Sequence, residues 1–165
     1  MTFPAPTERL VFRCWRDDDL ALAMALWGDA RVSALVGGPF SDVDVRDRLA
    51  LEIETQRVHG FQYWPITTRA GDPVGCCGLK PRSAEMHELG FYLRADAWGN
   101  GYAVEAGRAV IALAFASPIA ALFAGHHPDN DASRRTLAKL GFRYVFDELY
   151  PPTGLQHPCY ELRRS

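Results

Sequence analysis

Seven segments of the sequence are rich in apolar, aromatic and β-branched residues, a composition typical of β-strands. The segments Phe61–Thr68 and Val74–Leu79 are separated by the turn sequence Arg-Ala-Gly-Asp-Pro, which predicts a hairpin. Ile119–Ala124 is apolar at every position, so we expect it to lie in the centre of a sheet with both faces covered. The other predicted strands are Thr7–Arg13, Met86–Leu93, Tyr144–Tyr150 and Cys159–Arg163.

Four segments carry helical periodicity or the signals that start and stop helices. The acidic residues 17–19 supply capping oxygens for a helix over Leu20–Trp27, and Ser41 is expected to cap a helix that continues to about His59. The predicted order of elements is β-α-α-β-β-β-α-β-α-β-β, and 165 residues correspond to one domain, 1–165. The remaining predicted helices are Gly101–Ala116 and Asp129–Leu140, the latter ended by Gly141.

The longest apolar run, Ala109–Gly125, is too short to cross a bilayer, which needs roughly 20 residues, and Ser117 and Pro118 interrupt it. We interpret this run as the end of a helix followed by a buried strand. Lys and Arg number 18 against 20 Asp and Glu, and this net charge of −2 argues against a nucleic-acid-binding protein. Apolar residues make up 48% and charged residues 23%, which are ordinary globular values.

The cysteines and histidines predict neither disulfides nor a metal site. The four cysteines form no C-x-x-C motif, and this pattern is typical of reduced thiols in a cytoplasmic protein. The first ten residues contain no basic stretch followed by an apolar one, so no secretion signal is expected. His126 and His127 are adjacent at the end of a predicted strand and therefore point to opposite faces.

A short glycine-containing loop joins the predicted strand Met86–Leu93 to the following helix. Its sequence from position 98 to position 106 is W-G-N-G-Y-A-V-E-A. A strand, a glycine loop and a helix start together direct backbone N–H groups at one point, where a phosphate or pyrophosphate is stabilised. The loop matches neither a P-loop nor G-x-G-x-x-G, since Val104 stands where the third glycine belongs.

The segment Glu88–Ala106 resembles the acetyl-CoA loop of the GCN5-related N-acetyltransferase (GNAT) superfamily, in particular its RimJ/RimL-like branch. That branch typically reads E-(I/L)-G-(Y/F)-x-L, a spacer, and W-G-x-G-Y-A-x-E-A. Thr7–Arg13 is similar to its T-E-R-L-x-L-R opening, and Pro128–Phe142 is similar to its helix with N-x-x-S and K-x-G-F. At the position of Trp98 the superfamily as a whole usually has glutamine or arginine. The RimJ/RimL-like branch has tryptophan there, as this sequence does.

The resemblance implies an α/β fold of the α+β type, with a single GNAT-like domain. Its central sheet would have six to seven strands, mixed but mostly antiparallel, flanked by about four helices and splayed after the Met86–Leu93 strand. The implied cosubstrate is acetyl-CoA, with no metal. The residues expected to bind it are Phe91, Tyr92, Leu93, Trp98, Gly99, Asn100, Gly101, Tyr102, Ala103, Asn130 and Ser133.

The resemblance also implies direct acetyl transfer to a primary amine, in a complex that holds both substrates. Glu88 is the candidate base, with a structural or substrate-binding carboxylate as the alternative. Superfamily members often carry a tyrosine seven residues after the helix-start asparagine as the acid for the thiolate, and here that position is Leu137. Ser133 is then the candidate hydrogen-bond donor to the leaving sulfur. For Glu105 we expect chiefly a helix-dipole role.

Binding of the acceptor amine is expected to depend on the segments that carry no recognisable family motif. Trp27–Phe40 and Tyr150–His157 are predicted to form two walls of the acceptor cleft, with Trp15, Tyr63 and Trp64 as aromatic lining. The amine is either a protein N-terminus or a small molecule, and the protein either a monomer or a homodimer. Two alternatives stay open: a non-catalytic acyl-CoA-binding or regulatory module on the same fold, and a protein that binds another nucleotide or phosphate ligand.

Overall fold

The computed structural model describes residues 2–165, and these residues form one seven-stranded sheet. The strand order across the sheet is β1-β2-β3-β4-β5-β7-β6. The mixed sheet confirms the predicted fold class. The strands are β1 Leu10–Phe12, β2 Tyr63–Thr68, β3 Pro73–Pro81, β4 Met86–Leu93, β5 Ala121–Gly125, β6 Arg143–Tyr150 and β7 Leu155–Arg163.

Within residues 2–165 there are five α-helices, compared with the prediction of about four. The additional helix is a single turn, which no periodicity in the sequence can reveal because one turn contains too few positions. Two single-turn 3-10 helices, Ala34–Val36 and Ala95–Ala97, complete the elements. The helices are α1 Leu20–Leu26, α2 Ala30–Ser33, α3 Asp42–His59, α4 Tyr102–Phe115 and α5 Asp131–Lys139.

The sheet separates into two parts after a short parallel seam. All neighbouring strands pair antiparallel except β4 and β5, which run parallel. These two strands pair only from Met86 to Glu88, against Ala121 to Phe123, and then diverge. The splay beside the Met86–Leu93 strand is thereby confirmed, and it opens at its third residue.

Each face of the sheet is covered by its own layer of helices. Helices α4 and α5 pack on one face over a core that includes Leu79, Leu89 and Leu122. Helices α1 and α3 pack on the other face around Trp27 and Tyr63. Because successive strand residues alternate between faces, adjacent positions of β4 reach different cores.

The predicted cap of α3 is present, and the predicted cap of α1 is not. Ser41 and Asp44 form a reciprocal capping box at the start of α3, and the Asn130 side chain accepts the Ser133 N–H at the start of α5. Asp19 occupies the N-cap position of α1 without making a capping bond. Its carboxylate instead forms a two-pronged ion pair with Arg13, at 2.6 and 2.7 Å.

Strand β7 begins four residues earlier than predicted. Residues 155–158 pair with the end of β6, and a tight turn at residues 151–154 closes the hairpin. Gly154, with φ of 69°, supplies the left-handed turn conformation that lets the hairpin close.

Candidate active site

The splay between β4 and β5 opens into a cavity of about 850 Å³. Ligand sites in proteins usually measure about 300–1,000 Å³. The cavity is lined by the second half of β4, the loop that precedes α4, the start of α5 and the β6–β7 hairpin. Of the predicted site residues, only Asn100 is not among its lining residues.

The open edge of β4 presents backbone groups without a strand partner. Arg94 donates its N–H to Val74 on β3, so Tyr92 and Gly90, two and four residues earlier, also face β3. Phe91 and Leu93 alternate with these residues, so their backbone groups point to the opposite side of β4. On that side β5 has already diverged from β4. This edge can therefore pair with an extended ligand as a further strand would.

The glycine loop is shaped by two residues in the left-handed conformation. Gly99 and Gly101 both have φ of 77°, where a side chain is disfavoured. Gly101 is the N-cap of α4, and no side chain caps the first turn of this helix. The free N–H groups and the positive end of the helix dipole together form a site for a phosphate group.

Three side chains brace this loop. The Trp98 indole N–H donates to the Leu93 carbonyl at 3.1 Å, which ties the loop to the end of β4. Asn100 folds back and donates to the Ala97 and Trp98 carbonyls, at 3.0 and 3.1 Å. Its backbone carbonyl accepts a bond from Arg9 Nη1 at 2.9 Å. The Asn100 side chain thus supports the loop and leaves ligand contacts to the backbone.

Glu105 clamps the start of α4 to the segment before β1. Its carboxylate accepts the Thr7 hydroxyl at 2.5 Å, the Arg9 N–H at 2.9 Å and Arg9 Nε at 2.6 Å. Burial works to raise the pKa of Glu105, but the hydrogen bonds from Thr7 and Arg9 outweigh it, and the pKa lies below its ordinary value. The role is structural, as expected, but it acts through these partners as well as the helix dipole.

The start of α5 faces the loop across the cavity. Asn130 Oδ1 accepts the Ser133 N–H at 3.0 Å, which fixes both residues at the cavity wall. Leu137, one turn later, is almost fully buried in the core. The position where many superfamily members carry a tyrosine is therefore filled by packing.

Glu88 is the last residue of β4 that pairs with β5, and its side chain is three-quarters buried. Two basic side chains lie beside its carboxylate. Lys80 Nζ lies 3.2 Å from one carboxylate oxygen, and Arg82 Nη1 lies 3.9 Å from the other. Arg82 also bonds Glu148 at 3.0 Å. Lys80 lies on β3 opposite Glu88 and Arg82 follows the end of that strand, so the strand register brings both to Glu88.

The predicted walls of the acceptor side are only partly correct. Residues of α2 and the following 3-10 turn line the cavity, as do Tyr63, Tyr150 and His157. Trp15 and Trp64 do not: Trp15 packs on Trp27 at 5.4 Å between ring centroids, and Trp64 lies in the core on the α4 side. The lining residues that sequence reasoning missed include Arg48, Lys80, Arg82 and Phe123.

The histidines near the cavity take part in local hydrogen bonds. His126 Nδ1 lies 2.7 Å from the His127 carbonyl and its Nε2 lies 3.1 Å from the Tyr160 hydroxyl. His127 Nδ1 accepts the Asp129 N–H at 3.0 Å. Within residues 2–165, no group of three or more His, Cys, Asp or Glu side chains is arranged to hold a metal ion. Over the same range, no helix is long and apolar enough to span a membrane.

Comparison with known proteins agrees with this geometry. The family model of the acetyltransferase (GNAT) domain matches residues 9–143. The chain is 31% identical over 147 residues to the uncharacterized protein YkkB of Bacillus subtilis (strain 168), with 84% of each chain covered. The chain therefore belongs to the GNAT acetyltransferase family.

Solved structures share the fold. An acetyltransferase from Agrobacterium tumefaciens str. C58 superposes with a TM-score of 0.85 at 23% identity, over 99% of this chain and 96% of that one. RimL, a ribosomal L7/L12 alpha-N-protein acetyltransferase in complex with coenzyme A, gives a TM-score of 0.82 at 15% identity, over 96% of both chains. At these identities the likeness concerns the fold alone.

Proposed function

We propose that the protein is an acetyl-CoA-dependent N-acetyltransferase that moves an acetyl group to a primary amine by direct transfer. The observation that carries this proposal is one cavity that joins the open edge of β4 to the uncapped start of α4. The first feature suits an extended amide-containing arm, and the second suits a pyrophosphate. Acetyl-CoA has both groups.

The cosubstrate fits the residues present. A Cβ added at Gly99 would meet no atom within 4 Å, so the loop leaves room for a phosphate at its backbone. In the proposal, the N–H groups of Gly99, Gly101, Tyr102 and Ala103 bind the pyrophosphate, and Phe91 to Leu93 pair with the pantetheine arm. Asn130 holds the arm from the side of α5. Trp98 and Asn100 keep the loop in shape.

The chemistry requires a proton acceptor, a donor to the carbonyl oxygen and a donor to the sulfur. We assign the first role to Glu88, which takes a proton from the substrate ammonium directly or through water. A backbone N–H of Phe91 or Leu93 binds the thioester oxygen as negative charge develops on it. The Ser133 hydroxyl donates to the departing sulfur, since Leu137 has no group to do so.

Purified protein should release free thiol from acetyl-CoA when supplied with a suitable amine from a panel of amines and N-terminal peptides. Glu88→Gln and Ser133→Ala should each lower kcat by about 10²-fold, in the usual range for loss of one acid–base group. Their KM for acetyl-CoA should stay within about twofold of wild type. Glu161→Gln is the matched control, because Glu161 is also a strand carboxylate paired with an arginine but lies outside the cavity. Wild-type rates in both variants would remove the assigned roles.

A second function deserves the same screen because of Leu137. A GNAT domain that binds acyl-CoA without transferring the acyl group would need no acid for the sulfur. Such a module would bind CoA with the wild-type loop and release no thiol with any amine. Four points stay predictions: membership of the RimJ/RimL-like branch, the nature of the amine, a cytoplasmic location and a monomeric or homodimeric state. The same panel of amines and peptides addresses the nature of the amine.

A further inference from the structure

Arg48 is a basic residue placed within an apolar layer. Helix α3 presents Val45, Arg48, Leu49 and Glu52 toward the sheet, because these positions repeat every three to four residues. Its neighbours Val45 and Leu49 are buried, and Arg48 lines the cavity with 30% of its side chain exposed. None of the roles assigned above uses this residue.

The guanidinium of Arg48 is held from two sides. Its Nε and Nη2 atoms bond one oxygen of Glu52, at 2.9 and 2.7 Å. The other oxygen of Glu52 accepts the Tyr63 N–H at 2.7 Å, so this carboxylate is fully engaged. The remaining nitrogen, Nη1, has no hydrogen-bond partner within residues 2–165.

Three aromatic rings surround the guanidinium. We call them the aromatic box: Trp27, Tyr63 and Tyr92, whose ring centroids lie 4.8, 5.3 and 5.9 Å from Arg48 Cζ. Stacked rings orient a guanidinium and help to stabilise it away from water. Burial works to lower the pKa of Arg48, but the charge and hydrogen bond of Glu52 together with Tyr92 and Tyr63 outweigh it, so the residue stays a cation.

The aromatic box connects Arg48 to the proposed reaction centre. The end of the Tyr63 ring lies against Gly90 on β4, two residues beyond Glu88. Tyr150 lies within reach of both charges. Burial raises the pKa of Tyr150, the charge of Glu88 raises it further, and Arg48 lowers it. Glu88, Tyr150 and Arg48 all line the same cavity, so one substrate bound there can face Glu88 at one end and Arg48 at the other.

We propose that Arg48 binds a carboxylate of the amine acceptor, so that the acceptor is an amino acid or a peptide with an acidic group near its amino end. This assignment rests on the proposed acetyltransferase function and adds the substrate class. The open Nη1 edge matches a carboxylate oxygen, and an arginine with a fixed plane selects for it. Lys80 and Arg82 nearby are already paired with Glu88 and Glu148.

The test compares acids with their amides. A panel of L-amino acids and of short peptides with an acidic second residue is assayed with acetyl-CoA, each beside the version in which that carboxylate is an amide. Wild-type protein should show a KM at least tenfold lower for the acid than for the amide in the best pair. The peptides are made with an amidated C-terminus, so their only test carboxylate is the acidic side chain. Free amino acids and these peptides form separate arms, which show whether the bound carboxylate is an α-carboxylate or a side-chain carboxylate.

Arg48→Gln should remove the preference for the acid and leave the KM for acetyl-CoA unchanged. Arg48→Lys keeps the charge beside Glu52, and should fold and retain part of the preference. The matched control is Arg57→Gln, since Arg57 lies on the same helix and pairs with Glu54 but faces solvent. A residue with a merely structural role would raise the KM for acid and amide alike, and that outcome overturns the proposal.

A binding measurement separates this proposal from the proposed function. N-acetyl amino acids and their amides carry no reactive amine, and their binding to wild type and Arg48→Gln is measured by calorimetry with CoA present. Binding that needs both the carboxylate and Arg48 supports the carboxylate site even if no amine is acetylated. Equal binding of acid and amide, or binding of neither, overturns it.

Discussion

Glu105 ties the segment before the first strand to the start of helix α4. Its three hydrogen bonds, from the Thr7 hydroxyl and from two groups of Arg9, join residues about a hundred positions apart in the chain. Arg9 in turn bonds the carbonyl of Asn100 in the glycine loop. A single carboxylate therefore fixes the loop geometry on which the proposed phosphate site depends.

Glu105→Gln should lower the free energy of unfolding by about 1–2 kcal/mol at pH 7, the usual cost of weakening hydrogen bonds to a charged group. The pKa of Glu105 is lower in the folded state than its ordinary value of 4.5. The stabilisation is therefore complete above about pH 4.5 and is lost as the pH falls through the folded-state pKa. Urea unfolding at pH 7 and at acid pH measures the difference between the two proteins.

The control is Glu8→Gln, since Glu8 is a nearby exposed carboxylate whose side chain accepts no hydrogen bond within residues 2–165. It should unfold like wild type at both pH values. A gap between wild type and Glu105→Gln that stays constant down to strongly acid pH would show that the clamp does not depend on the charge of Glu105.

Residue types in the site were easier to predict than their partners. The glycine loop, Asn130 and Ser133 come from short, contiguous motifs, so their placement at the cavity could be expected. The ion pairs of Glu88 could not, because Lys80 and Arg82 meet it only through the register of β3 and β4. Arg48 and Glu52 were missed although they stand four residues apart on the buried stripe of one helix, and that spacing was the available signal.

At the scale of elements, the loop before α4 needs glycines in the left-handed conformation at the proposed phosphate site. Gly101→Ala should cost about 1 kcal/mol of stability, because an alanine at φ of 77° is disfavoured. The added methyl group would also lie 3.7 Å from Nη2 of Arg9, whose guanidinium bonds the Asn100 carbonyl of the loop. We therefore expect CoA binding to weaken at least tenfold, as measured by calorimetry.

Gly60→Ala is the matched control for this prediction. Gly60 ends α3 with φ of 75°, and a Cβ there meets no atom within 4 Å. It should lose a similar amount of stability, followed by thermal denaturation, and bind CoA like wild type. Equal CoA affinity in the two variants would contradict the placement of the phosphate site at Gly101.

Long elements with clear periodicity or caps could be predicted, and short ones could not. The helices α3, α4 and α5 lie within one or two residues of their expected bounds, since a capping residue or a C′ glycine marks their ends. Helix α2 is one turn long, and the start of β7 is stabilised by pairing with β6 rather than by its own sequence. Where the local sequence preference is weak, tertiary pairing therefore determines the bounds of an element.

For the whole molecule, a bound CoA should act on the two parts of the sheet together. Strands β4 and β5 share only three residue pairs, and an arm that pairs with β4 inside the splay would contact both sides of it. Amide hydrogen exchange should slow in the second half of β4 and at the start of α4 when CoA is added. At a free CoA concentration of 100 times Kd, binding stabilises the folded protein by about 2.7 kcal/mol.

Strand β1 serves as the internal control, because it lies three strands away from β4 and none of its residues lines the cavity, so its exchange should change little. ATP at the same concentration tests the remaining alternative. Protection of the loop by ATP and not by CoA would point to a different nucleotide ligand and contradict the acetyltransferase proposal.

The short seam between β4 and β5 also limits how this sequence can change. Glu88 occupies its last pair, and strand side chains alternate between faces. A single inserted or deleted residue within Met86–Glu88 would turn this carboxylate from the α3 side to the α4 side, away from Arg48. Length variation is therefore tolerable in the exposed turn at residues 83–85. Within the seam, only changes that preserve an even spacing keep Glu88 on the same face of the sheet as Arg48.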